Sequence, residues 1–191
     1  MRIVFLGPPG AGKGTQSQRL IRHFRIPHLA TGDMLREATR QHTAVGRVAQ
    51  DYMAAGRLLP DTIIIDLVCR RLKEPDCLAG YLLDGFPRTL PQAEALDGFL
   101  TESGMPLDAV LELKVDEDVL LARLAGRARD DDKPGVIRQR LIGYRDQTKP
   151  LVEYYAARGK LEQIDGMASP DDVFDQICQT LDRRRKKKPP T

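Results

Sequence analysis

Arg2-Ile3-Val4-Phe5-Leu6-Gly7-Pro8-Pro9-Gly10-Ala11-Gly12-Lys13-Gly14-Thr15 decides the fold. Arg2–Leu6 is a short apolar run of strand character, and a helical pattern extends from Lys13 to about Phe24. Between them, glycines let backbone N–H groups converge on an anion without a Cβ in the way. The N-terminus of the following helix adds roughly half a positive charge, and Lys13 supplies a full, mobile one. Strand, glycine spacing, lysine and helix in this order predict a loop that cradles phosphate, formed by Gly10, Ala11, Gly12, Lys13, Gly14 and Thr15. The usual pattern has Ser or Thr directly after the lysine. Here Gly14 intervenes, and the hydroxyl is that of Thr15.

Outward from the loop, strand candidates at His28–Ala30, Tyr81–Leu83, Ala109–Val115 and Leu161–Ile164 alternate with helical stretches. The helices are expected near Gly32–Gln41, Thr43–Ala55, Asp61–Lys73, Thr89–Ser103, Glu117–Leu124 and Pro134–Arg158. A last helix starts at Ser169-Pro170-Asp171-Asp172, which combines a capping hydroxyl, a first-turn proline and two acids that suit the helix dipole. Such alternation predicts an α/β fold of three layers, a central parallel sheet of about five strands with helices on both faces. Tyr81-Leu82-Leu83-Asp84 is an apolar strand ending in an acid. Asp84 would orient the water shell of a phosphate-bound Mg²⁺ at the carboxyl end of the sheet, or else cap the following turn.

The chain has 191 residues, 41% hydrophobic and 30% charged, which excludes wholesale disorder and is consistent with a single core. No apolar run approaches the ~18 residues of a membrane helix. Three cysteines are too few for a disulfide framework, so a reducing, cytoplasmic setting is expected. The net charge of +3 is uneven: six of the 30 basic residues stand together as Arg183–Lys188, and the remainder carries −3. The basic pI therefore does not indicate a nucleic-acid-binding face. Residues 183–191 read as a solvated, disordered extension, with weak attraction to RNA or anionic lipid surfaces as the other reading.

Three further segments separate a kinase from a nucleotide-driven switch. Ala30-Thr31-Gly32-Asp33-Met34-Leu35-Arg36 follows the second strand, and Gly56-Arg57-Leu58-Leu59-Pro60-Asp61 lies beyond two helices. Asp84-Gly85-Phe86-Pro87-Arg88-Thr89-Leu90-Pro91-Gln92 follows the acid. With these the sequence closely resembles the adenylate kinases, in their short-lid form, from Met1 to about Leu181. The resemblance implies reversible, Mg²⁺-dependent transfer of phosphate, ATP + AMP giving 2 ADP, by a monomer. It implies one domain over residues 1–182, with a flap at 30–59 that closes over AMP and a short lid at about 126–133.

In that family Mg²⁺ keeps most of its waters, so no direct protein ligand is implied, and nothing suggests zinc. Thr31, Arg36, Arg57, Leu58, Leu59, Gly85, Phe86, Pro87, Arg88 and Gln92 would surround AMP. Arg36 and Arg88 would hold its phosphate by charge-assisted contacts. Gln92 would read adenine, since an amide offers donor and acceptor together; Thr89-x-x-Gln92 is equally a capping box, and the two roles compete for one side chain. Arg123 and Arg127 are assigned to ATP, and Arg129 and Arg140 to the transferring phosphates and AMP. Asp131 and Asp132 would hold the lid arginines. The backbone near Gly166 would meet the ATP base, although Gly166 could equally be a turn glycine. Lys13, Asp84, Arg88, Arg129 and Arg140 form the expected catalytic set, while His23, His28 and His42 are read as structural or surface residues. A pyrimidine monophosphate kinase of the same fold and a non-catalytic nucleotide switch are the alternatives.

Overall fold

The computed structural model describes residues 1–125 and 134–187. The strands are β1 (Arg2–Leu6), β2 (His28–Ala30), β3 (Tyr81–Asp84), β4 (Ala109–Lys114) and β5 (Leu161–Asp165). They form one parallel sheet in the order β2-β3-β1-β4-β5. The chain moves from β1 toward the β2 side and returns from β3 to the β4 side. The crevice at the carboxyl ends of β1 and β3 is therefore the topological switch point, where open α/β sheets bind ligands.

The helices are α1 (Lys13–Phe24), α2 (Thr31–Arg40), α3 (Ala44–Ala54), α4 (Asp61–Leu72), α5 (Leu90–Glu102), α6 (Glu117–Ala125), α7 (Pro134–Gly143), α8 (Pro150–Ala157) and α9 (Pro170–Lys187). Strand side chains alternate between the two faces. Val4, Leu6, Tyr81, Leu83 and Val110 pack with Val68 and Leu72 of α4, Leu96 of α5 and Tyr155 of α8. Ile3, Phe5, Leu82, Leu111 and Leu113 pack with Leu20 of α1 and Val173, Ile177 and Leu181 of α9. Strands covered on both sides are continuously apolar, and this burial holds the carboxyl-end crevice rigid. The expected three-layer α/β architecture is present.

Two helical expectations need correction. The stretch Pro134–Arg158 is not one regular helix: a π turn at Tyr144–Thr148 separates α7 from α8. Pro150 has no N–H to give the preceding turn, and the wider turn closes instead through Lys149 N–H to the Tyr144 carbonyl at 2.9 Å. Nor is the basic run a disordered tail from residue 183, because α9 continues to Lys187. Arg184 Nε lies 2.6 Å from Glu162 Oε1, and its other nitrogens donate to the carbonyls of Asp108, Gly159 and Leu161. A guanidinium with four acceptors at the entry of β4 and β5 is part of the fold. Residues 188–191 lie outside the described residues. The start of α9 is as expected, with Ser169 Oγ accepting from the Asp172 N–H at 3.2 Å.

Candidate active site

The loop between β1 and α1 leads into a helix N-terminus without a side-chain cap. Gly12, the residue before α1, has φ +95°, and α1 has neither a side-chain cap nor an acid in its first turn. Its leading N–H groups therefore point at the crevice without an internal anion. Lys13 Nζ bends back to the carbonyls of Gly7 at 2.7 Å and Pro8 at 3.0 Å. Gly14 and Thr15 are exposed on the same wall, and Gly10, Ala11 and Gly12 complete it.

The opposite wall is organised around one carbonyl. Gly85, at φ +83°, turns its oxygen toward two donors: Thr31 Oγ1 at 2.9 Å and Arg88 Nε at 2.8 Å. A third contact fixes the other end of the segment, where Thr148 of the π turn donates to the Arg88 carbonyl at 2.9 Å. Burial lowers the Arg88 guanidinium from its ordinary value and neighbouring Arg140 lowers it further, with Asp84 opposing. Two arginines facing one another favour a shared anion between them.

Asp84 ends β3 in register with Phe5 of β1 and Ala30 of β2, midway between the two walls. Burial would raise its carboxyl, but His28, Lys13 and Arg88 outweigh that and hold it below the usual range. It is therefore ionised at neutral pH. His28, read as a structural or surface residue, borders the cleft with its Nε2 3.6 Å from Asp84 Oδ2. Strand parity carries the signal. His28 and Ala30 share a face of β2, and Ala30 lines the crevice.

These walls enclose a cleft of about 850 Å³, continuous with a second cavity of about 520 Å³ that shares Gly85, Arg88 and Arg140 with it. The larger cleft takes Thr31, Arg36, Arg57, Leu58, Leu59 and Gln92 from the AMP set. From the ATP set it takes the loop residues with Arg123 and Gly166. Arg36 is paired with Asp33, one turn away on α2. Arg57 stacks over the Tyr52 ring at 5.2 Å. Arg123 Nη2 donates to the Gly166 carbonyl at 3.1 Å, which joins two residues expected at the same nucleotide. Gly166 is no plain turn residue: a Cβ there would stand 2.5 Å from Val115 Cγ2 and 2.9 Å from the Lys114 carbonyl.

Six cationic side chains, Lys13, Arg36, Arg57, Arg88, Arg123 and Arg140, face this cleft with only two carboxylates, Asp33 and Asp84, among the described residues. Phe86 is not on the wall. It is fully buried among the apolar residues beneath the sheet, while Pro87 borders the smaller cavity. Arg127, Arg129, Asp131 and Asp132 lie outside the described residues. Neither role foreseen for Gln92 describes its side chain in full. Thr89 Oγ1 caps α5 by accepting from the Gln92 N–H, but the amide of Gln92 bonds elsewhere, to the Arg88 N–H and to Asp61. Asp61 closes the quoted Gly56–Asp61 segment but was given no role there, and Thr148 lies in none of the quoted segments; the contacts of both arise from helix packing.

A sequence model described as adenylate kinase matches residues 5–160. The chain is 50% identical to an adenylate kinase of Nitrobacter winogradskyi, covering 96% of this chain and 94% of that one. It is 51% identical to one of Methylobacterium nodulans, over 91% and 92%. An adenylate kinase of Methanococcoides burtonii is 45% identical over 96% of this chain and 99% of its own. With its phosphate loop, acid-tipped third strand and cationic cleft in place, the chain belongs to the adenylate kinase family.

Proposed function

We propose that the cleft binds MgATP along the β1–α1 loop and AMP against the Thr31–Gly85–Arg88 wall, and moves the γ-phosphoryl group between them. The enzyme is a phosphotransferase of the nucleoside monophosphate kinase type. The observation that carries the residue assignment is the convergence of six cations on one crevice whose two walls are a bare helix N-terminus and the Gly85 hub. ATP and AMP together bring about six negative charges, so this excess is what alignment of the two phosphates requires.

In this reading Lys13 leaves the Gly7 and Pro8 carbonyls for the transferring phosphate. Arg88 and Arg140 hold the AMP phosphate between them, and Arg36 assists after parting from Asp33. Arg127 and Arg129 would close over the phosphates from residues 126–133. Mg²⁺ brought with ATP would offset two charges, and Asp84 would meet its water shell. The attacking oxygen belongs to a phosphomonoester whose second pKa is roughly 6, so no general base is needed. Exclusion of water, by closure of residues 30–59 and 126–133, would keep the γ-phosphoryl from hydrolysis.

No helix among the described residues is long and apolar enough to cross a membrane. Cys69, Cys77 and Cys178 are all unbridged, which supports the reducing cytoplasm as the setting. A monomer is proposed. ADP formation from MgATP, measured with AMP, CMP, UMP, GMP or no acceptor, tests the reading. AMP is expected to be preferred, whereas preference for CMP or UMP, or activity only without acceptor, would overturn it.

A further inference from the structure

Asp61 opens α4 and belongs to no phosphate-binding motif. Its carboxylate accepts from Gln92 Nε2 at 2.6 Å and from Thr89 Oγ1 at 3.1 Å to each oxygen. At its other end, Gln92 Oε1 accepts from the Arg88 N–H at 2.7 Å. A carboxylate only accepts and a backbone N–H only donates, so these two partners admit the amide one way round. Reversed, Oε1 would face a carboxylate and Nε2 would face an N–H. Both contacts would become repulsive, within a side chain that is 2% exposed.

The orientation has a consequence for recognition. An amide has two N–H donors and two acceptor lone pairs, and one of each is already used. What remains, on a residue that lines the cleft, is one N–H on Nε2 and one lone pair on Oε1. A 6-aminopurine answers this with an acceptor ring nitrogen beside an exocyclic N–H donor. A 6-oxopurine presents the reverse, a carbonyl acceptor beside a ring N–H, and would need the amide turned over.

We propose that Asp61 is a positioning residue that sets base specificity, holding Gln92 in the orientation that accepts a 6-aminopurine monophosphate and rejects a 6-oxopurine one. The inference rests on the assignment of AMP to the Gly85 wall. A purely structural role is the alternative, because an acid in the first turn also favours the start of α4. Asn and Ala at this position separate the two. Asp61→Asn loses the charge but keeps an acceptor for Gln92, whereas Asp61→Ala loses both.

The test is kcat/KM for AMP and for IMP, at saturating MgATP, in the wild type, Asp61→Asn and Asp61→Ala. The Ala variant is expected to lower the AMP-to-IMP ratio about 10-fold or more, chiefly through KM for AMP, while Asn keeps most of the ratio. A ratio within about twofold of wild type in the Ala variant would overturn the proposal. So would an Asn variant that loses as much as Ala, since charge at the helix start would then be the cause. If Asp61→Ala does not fold, Asp61→Ser keeps a residue suited to a helix start but too short to reach Nε2, and the same ratio decides. A wild-type enzyme that does not discriminate AMP from IMP, or that prefers CMP or UMP, would instead show that the AMP assignment fails, taking the proposal with it.

Discussion

Gly85→Ala strikes the point where both walls of the cleft are tied. The residue sits at φ +83°, and an added Cβ would lie 2.7 Å from Thr31 Oγ1 and 2.9 Å from Arg88 Nη2. Left-handed backbone costs a residue with a Cβ about 1–2 kcal/mol. Relief of the clashes must move both Thr31 and Arg88, and both donate to the Gly85 carbonyl. Losing the neutral bond costs roughly 1 kcal/mol and weakening the charged one ~1.5–3. Because both contacts are that close, both partners must shift, and the expected loss of stability is about 3–6 kcal/mol, a shift of roughly 6–24 °C in Tm for a chain of this size. A displacement of Arg88 by about 1 Å would also cost on the order of 100-fold in kcat/KM for AMP. Urea unfolding followed by circular dichroism reads the first effect, and a coupled assay with varied AMP reads the second. Binding of MgATP alone is the control, since the β1–α1 loop is on the other wall. A variant as stable as the wild type with unchanged AMP kinetics would refute the reasoning, and so would a loss confined to MgATP.

Lys13→Met should fold, yet lose about 100-fold or more in kcat, because the cation at the head of α1 is removed; near-normal turnover by the folded variant would remove Lys13 from the phosphate cradle. Deleting residues 183–191 should leave kcat within about twofold but lower stability by about 2 kcal/mol, as Glu162 and three strand-entry carbonyls lose Arg184; an unchanged urea midpoint would show the anchor is idle. Stability should also fall in alkali. Burial pushes the Cys77 and Cys178 thiols up to about 11, from an ordinary 9.0. The unfolded chain therefore releases these protons first, so the contribution is complete below pH 9 and is lost as pH rises toward 11. A urea midpoint that is flat or rising between pH 8.5 and about 10.5 would contradict this.

The sheet and the phosphate loop were legible because they are local and ordered. An apolar run of strand length, glycines at fixed spacing and a following helix leave few topologies. Contacts made between elements were not legible. Asp61 reaches Gln92 only because α4 packs beside α5, and His28 reaches Asp84 only because β2 pairs with β3. The basic run misled for a related reason. Composition shows six cations in a row, but not that one of them meets Glu162 and three carbonyls across the end of the sheet. Phe86 sits inside a binding motif by sequence and inside the core by burial, which no periodicity distinguishes over a single residue.

The strand order carries a cost in time as well as in contacts. β1 lies between β3 and β4, so Ile3, Val4 and Phe5 have no sheet neighbour until residues 81–84 and 109–114 exist. At ~5–20 residues per second of synthesis, the first strand waits roughly 5–20 s for its partners. Parallel pairing across such separations is also slow. The phosphate loop is thus made well before it can take shape, and until then Arg2–Leu6 stands open to chaperones and to mispairing.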